Sequence, residues 1–262
     1  MKWLQIERSD GLVRVLLNRG KAHALDSELV AELQSTFSTL AGQADVRAVI
    51  LSATGDRFFC NGLDVPALLP LARAELGAFL DRFIGLYTEM YVFPRPLVVA
   101  INGHAMAGGL VLALTGDYQI VGAESCMLGL TEVRLGLPVP MGAICMLSAL
   151  VGPREAHHLA LTGEPVLPEA AYRCGLIHEV TSSRHLREVA DTVARDLAAT
   201  PTPAFARTKA YLRAGVVSAM RASFERSRED FLDCWFLPET RAALEALANR
   251  SGGRPSTTAA ST

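Results

Sequence analysis

The stretch from Pro96 to Asp117, P-L-V-V-A-I-N-G-H-A-M-A-G-G-L-V-L-A-L-T-G-D, leaves few folds open to this chain. Leu97 to Ile101 has the length and the Val/Ile content of a buried strand. Asn102-Gly103 breaks it, and Gly108-Gly109 opens a second apolar segment, Leu110 to Leu114, which reads as the first turns of a buried helix. Glycines at a helix start let a ligand approach the backbone. The first N–H groups of a helix have no intrahelical partner and stand at the positive end of its dipole. A strand feeding such a helix prepares a site for negative charge out of backbone alone.

The flanking segments predict an α/β chain. Residues 2–8 and 12–17 alternate around Ser9-Asp10-Gly11, a hairpin signature. Asp26 reads as the N-cap of a helix to about Ala41, with Leu29, Leu33, Phe37 and Leu40 on one face. Val46 to Leu51 is an apolar strand. A helical region spans about 66–92, closed by Pro94 and Pro96, and a further strand covers 118–121. The remainder reads as helical, at about 139–150, 153–161, 168–174, 184–199, 203–216, 218–233 and 239–249. Strands alternating with helices in the first 120 residues suggest βαβ units, within a core over 1–200; residues 201–250, behind the joint at Pro201 and Pro203, read as a helical cap or assembly surface. Residues 251–262, rich in Ser, Gly, Thr and Ala, read as a disordered tail.

Charge and cysteine content exclude several classes. A net charge of −2 gives no basis for nucleic-acid or anionic-membrane binding, so an anionic ligand must be met by a local cluster. No apolar run reaches the roughly 18 residues of a membrane span, and the N-terminus has no signal-peptide core. The five cysteines are scattered, with no C-x-x-C or Cys/His cluster, which predicts no metal site and reduced thiols in a cytoplasm. G-x-G-x-x-G, G-x-x-x-x-G-K-[ST] and G-x-S-x-G are all absent, and His157-His158, adjacent on a helix, cannot converge on one metal.

Two backbone donors and one acid remain. The donors are the Gly108 N–H and the turn Asn61-Gly62-Leu63-Asp64 after the Val46–Leu51 strand. If the two strands are neighbours, both turns fall at one sheet edge, where α/β proteins bind ligands, and two N–H groups on one oxygen make an oxyanion hole. Tight turns without a ligand are the competing reading. Glu132 lies in L-G-L-T-E-V, among apolar residues and loop glycines, where desolvation raises a carboxyl towards a useful base; an exposed glutamate paired with Arg134 is the alternative.

Taken together, L-N-R-G-K-A-H-A-L at 17–25, F-F-C-N-G-L-D at 58–64, P-L-V-V-A-I-N-G-H-A-M-A-G-G at 96–109, L-G-L-T-E-V-R-L-G at 128–136 and L-T-G-E-P at 161–165 resemble the crotonase superfamily of enoyl-CoA hydratases and isomerases, over about 2–250. The resemblance implies a spiral of ββα units with a C-terminal helical trimerisation region, in a homotrimer or dimer of trimers. It implies an acyl-CoA substrate, with CoA as part of the substrate and no separate cofactor. The thioester oxygen is then held by the amides of Leu63 and Gly108, with Glu132 as catalytic base. Adenine contacts map to the backbone of Lys21, Ala22 and Ala24, in a loop one residue shorter than the common form with His23 where Asn is often seen; Lys21 or Arg19 is the candidate for a phosphate. The remaining substrate contacts map to Cys60, Gly62, Asp64, Val65, Ala107, Gly109, Thr131 and Leu137.

Hydratases of this family usually carry a second glutamate just after the glycine pair, and Val111 occupies that place. One carboxylate is enough to move a proton from C2 to C4, so the resemblance points to the isomerase branch, with Glu132 as shuttle. Hydration, decarboxylation, thioester hydrolysis, or acyl-CoA binding without chemistry are the alternatives. Asp64 reads as a turn-stabilising Asx residue, and Asp117, Asn102 and His104 as structural. The leucines after Asp64 are expected to flank the acyl tunnel. Phe231, Trp235 and Phe236 in the late helices are candidates to close that tunnel, from the same or a neighbouring subunit, but at least two of the three are expected in helix packing or trimer contact.

Overall fold

The computed structural model describes residues 1–252. It opens with strands β1 (Leu4–Ser9) and β2 (Leu12–Leu17), joined by Asp10 and Gly11, both at positive φ, the turn geometry that matches strand twist. Asp26 caps helix α1 (Ser27–Gly42), its carboxylate accepting from the Leu29 N–H at 2.9 Å.

Three successive units then repeat one path. Strand β3 (Ala48–Ala53) is followed by β4 (Phe58–Cys60) and helices α2 (Val65–Leu68) and α3 (Arg73–Tyr91). Next come β5 (Leu97–Ile101), β6 (His104–Met106) and α4 (Gly108–Leu114). The third unit is β7 (Tyr118–Val121), β8 (Leu128–Gly129), a 3₁₀ turn over Glu132–Leu135 and α5 (Met141–Thr162). First strands of each unit pair in parallel in one sheet and second strands in another, a ββα spiral. The large sheet runs β1-β2-β3-β5-β7-β9, where β9 is Glu179–Val180, and the small sheet runs β4-β6-β8.

The strands of the large sheet read as continuous apolar runs because both faces are covered. Val49, Leu51, Val99 and Ile101 point into the main core, whereas Ala48, Ile50, Val98 and Ala100 pack against α7 (Leu186–Ala198), which lays Leu186, Ala190, Ala194 and Ala198 on them. Helix α6 (Pro168–Arg173) precedes α7. Helices α8 (Thr202–Trp235) and α9 (Pro238–Gly252) close the chain. Asp117 ties α8 to the core: its carboxylate takes the Leu97 N–H at 2.8 Å, Lys209 Nζ at 2.7 Å and Arg213 at 2.9 Å.

The differences from the expected elements have local causes. The helical region over 66–92 divides at Leu69–Ala72, around Pro70, which cannot donate to a continuing helix. Residues 203–216 and 218–233 lie in one helix, α8, with no proline at the expected break to interrupt it. The helices expected over 139–150 and 153–161 are the two halves of α5, which begins at Met141 and is kinked at Gly152, whose φ is 77°. No local signal placed β9 or the strands of the small sheet, although the resemblance implied ββα units. These strands are two or three residues long, too short for a periodic signal. Of the expected tail, residues 253–262 lie outside the described residues.

Candidate active site

The two glycine turns meet. Strands β3 and β5 are parallel neighbours, so the segments following them descend side by side and β4 pairs with β6. Gly62, at φ 85°, comes so close to the second turn that a Cβ there would sit 3.0 Å from the Ala107 Cβ and the Met106 oxygen, and 3.2 Å from the Gly108 nitrogen. Behind it, Gly109 packs on the Cys60 carbonyl, where a Cβ would lie 2.1 Å from the oxygen. A side chain at either position would part the turns.

Hydrogen bonds already made fix the direction of both free N–H groups. The Gly62 carbonyl accepts from the Leu25 N–H at 2.8 Å, so across the trans peptide the Leu63 N–H points the opposite way. The Ala107 carbonyl accepts from the Val111 N–H at 3.0 Å, so the Gly108 N–H, first in α4, points out of the helix start. Neither N–H is given to another group of the described protein. Ala107 holds this peptide at φ 49° and ψ −121°, a conformation costly for a residue with a Cβ and sustained by its N–H bond to the Gly129 oxygen at 2.7 Å.

Both N–H groups open on one cavity of about 260 Å³. Its wall includes Leu63, Ala107 and Gly108, with Leu80, Phe83 and Ile84 of α3 opposite. Phe231 and Trp235 of α8 and Leu244 and Leu247 of α9 close it. Glu132 is the one acid among the described residues that line it. It begins the 3₁₀ turn after β8, which ends at Gly136 in the left-handed region, and only 7% of it is exposed. Its Oε2 has no hydrogen-bond partner. Burial pushes the carboxyl up to about 7, only partly offset by its own backbone N–H. Arg134 does not neutralise it. That guanidinium turns to the Thr162 oxygen at 3.0 Å and to Glu164 at 3.8 Å.

The other expected site residues divide into three groups. Val65, Ala107, Thr131 and Leu137 line the cavity beside Leu63, Gly108 and Glu132. Cys60, Gly62, Asp64 and Gly109 stand behind the wall. The Cys60 thiol is wholly buried against the His23 carbonyl at 3.1 Å and is pushed up to about 12 by burial. Asp64 caps α2 through the Ala67 N–H at 3.2 Å, an Asx role. Lys21, Ala22 and Ala24 lie on the β2–α1 loop away from the cavity wall; Lys21 is exposed, and the Ala22 oxygen accepts from Asn61 N at 3.0 Å. Arg19 is not free for a phosphate, being paired with Asp26 and Asp64 at 2.6 Å each. Val111 is buried within α4 and is absent from the wall. Asn102 Nδ2 donates to Ala53 O and Gly55 O, and His104 Nδ1 accepts from Met127 N, both structural roles.

Phe231 and Trp235 depart from expectation by facing the cavity, because α8 runs unbroken and carries its last turns across it; Phe236 stays partly exposed. Leu244 and Leu247 had a helical spacing legible in the sequence, but nothing that tied α9 to this cavity.

Residues 7–236 match the family model described as enoyl-CoA hydratase/isomerase. The chain belongs to that family. It is an acyl-CoA enzyme of the crotonase superfamily. It is 30% identical over 211 residues, 80% of each chain, to the carnitinyl-CoA dehydratase of Salmonella typhi. An enoyl-CoA hydratase/isomerase from Xanthobacter autotrophicus Py2 superposes with a TM-score of 0.84 at 27% identity, covering 96% of this chain and 94% of the other. Human mitochondrial Δ3-Δ2-enoyl-CoA isomerase shares the fold, with a TM-score of 0.91, 24% identity and coverage of 95% and 98%. Among the described residues, no helix is long and apolar enough to cross a membrane.

Proposed function

We propose that this family member is a Δ3,Δ2-enoyl-CoA isomerase. The observation that carries the reading is a cavity lined, among the described residues, by one carboxylate, Glu132, together with two free backbone N–H groups; Val111, buried behind the wall, occupies the position where the resemblance puts a second acid. The thioester oxygen sits between the Leu63 and Gly108 N–H groups. Glu132, as carboxylate, takes a proton from C2 of a 3-enoyl thioester. The electron pair spreads over the dienolate, and its charge on oxygen is stabilised by about 3 kcal/mol per N–H donor. The same carboxyl returns the proton at C4, leaving the conjugated 2-enoyl thioester. A carboxyl near 7 is suited to both halves of this exchange. The apolar wall around Phe83, Phe231 and Trp235 favours a fatty acyl chain.

The kinship to carnitinyl-CoA dehydratase favours one second reading, addition or removal of water at an enoyl thioester. Hydration gains from a second group to orient water, and the described residues of the cavity wall offer no second acid. Incubation with a 3-enoyl-CoA and, separately, a 2-enoyl-CoA separates the two. Conjugation of the first without gain of water in the second is the expected result; hydration of the 2-enoyl thioester at a comparable rate would make the protein a hydratase.

The reading extends to assembly as a homotrimer or dimer of trimers, supported by exposed Tyr211 and Leu212 on α8. It keeps the cytoplasm as compartment, supported by five unpaired cysteines.

A further inference from the structure

Behind the Leu63 turn lies a chain of hydrogen bonds that begins at a charge. Arg19 Nη1 donates to the Ala24 carbonyl at 2.8 Å. The other end of that peptide unit, the Leu25 N–H, donates to the Gly62 carbonyl at 2.8 Å. The other end of the Gly62 unit is the Leu63 N–H, which faces the cavity. The described peptide bonds are all trans, so every unit passes the bond on in the same direction. Guanidinium, peptide 24–25, peptide 62–63 and the substrate oxygen thus form one line of donors and acceptors.

We infer that Arg19 is a positioning residue for the oxyanion hole, which aims the Leu63 N–H and strengthens it as a donor through the two intervening peptide units. Hydrogen bonds in series polarise one another, by about 10–30% per bond, and a charged donor at the head gives the strongest first link. The same guanidinium holds the turn from both sides. Nη1 also reaches Asp64 Oδ2 at 2.6 Å, and Nη2 reaches Asp26 Oδ2 at 2.6 Å. Asp64 in turn gives its N–H to Leu25 O at 2.9 Å, which closes a bridge around Leu63. Asp26 and Asp64 each cap a helix, so the fork locks the β2–α1 loop, the start of α1 and the start of α2 in one register. Arg19 is mostly buried, and His23 keeps its loop in place by accepting the Arg19 N–H at Nδ1, 3.1 Å away. A lysine has one ammonium and cannot reproduce a planar fork that ends on a carbonyl and two carboxylates.

The inference rests on the two-amide hole proposed above, and the test separates the two. Hexanoyl-CoA carrying ¹³C at the thioester carbonyl is bound to the full chain, and its C=O stretch is read by isotope-edited difference infrared spectroscopy. The wild-type protein should lower the stretch relative to free hexanoyl-CoA. Arg19→Gln should lower it distinctly less and reduce kcat for a 3-enoyl-CoA by about tenfold, a fraction of the effect of losing a whole donor, with KM little changed. Arg19→Lys should fall between, and it carries the test if the glutamine variant does not fold. A folded Arg19 variant with the wild-type carbonyl shift overturns the inference, even if it is less stable, because a merely structural role leaves bound thioester polarised as before. A wild-type protein that does not lower the stretch at all overturns the two-amide hole itself, and the relay with it.

Discussion

Glu132→Gln should lower kcat on a 3-enoyl-CoA by about a thousandfold and, above pH 7, make the protein harder to unfold. The first effect follows from removing the one acid among the described residues of the cavity wall; a positioned general base contributes about 10²–10⁴. The second follows from the same burial. In the unfolded chain this carboxyl ionises near its ordinary 4.5, and in the fold only near 7. Between those values the folded state keeps a proton that the unfolded state has released. Stability therefore falls as pH rises through the window, and the full cost, about 3 kcal/mol, is felt above pH 7. Glutamine is neutral throughout, so the variant should melt above wild type at pH 8 and lose that advantage near pH 4. In the wild type, kcat/KM should rise with pH and level off above about 7, because only the carboxylate is a base. An active Glu132→Gln protein would remove Glu132 from the chemistry. Loss of activity with a lower melting temperature at pH 8 would instead mean that Glu132 has a stabilising partner.

Replacing the Gly108 N–H with an ester oxygen, by placing glycolic acid at that position, should lower kcat by about 10²–10³ with little change in melting temperature. That is the range for losing one oxyanion-hole donor. Stability is spared because Gly108 is the first residue of α4 and its N–H makes no helical bond. Proline, the obvious genetic way to delete an N–H, does not serve. It drives the preceding residue to extended backbone, whereas Ala107 sits at φ 49° and ψ −121°. The strain at Ala107 marks what the fold spends to aim this group. Wild-type kcat in the ester would place the thioester oxygen elsewhere.

The site's polypeptide frame was legible because its signals are local. Gly108-Gly109 after a buried strand announces a helix start with free N–H groups, and Asn61-Gly62-Leu63-Asp64 announces a turn. Their convergence follows from β3 and β5 being neighbours, a pairing that stood only as a condition until the fold was known. The short strands of the second sheet were not legible, since three residues such as Phe58–Cys60 carry no period. Nor was the far wall: packing or trimer contact was the preferred reading of Phe231 and Trp235, nothing in the sequence singled out Leu244 and Leu247, and only the paths of α8 and α9 decide that all four face the cavity. Arg19 was misjudged for a similar reason. As a sequence it is a basic loop residue; its two carboxylate partners, Asp26 and Asp64, are seven and 45 positions away and meet it only in the fold.

In this scheme one carboxyl both removes and returns the proton. A 3-enoyl-CoA deuterated at C2, turned over in ordinary water and followed by mass spectrometry and NMR, traces that proton. A single buried shuttle predicts conjugated product that carries part of the deuterium from C2 at C4, with transfer abolished in Glu132→Gln. Product in which all hydrogen gained at C4 comes from water, at the earliest measurable turnover, would contradict it and require a second proton donor in the cavity.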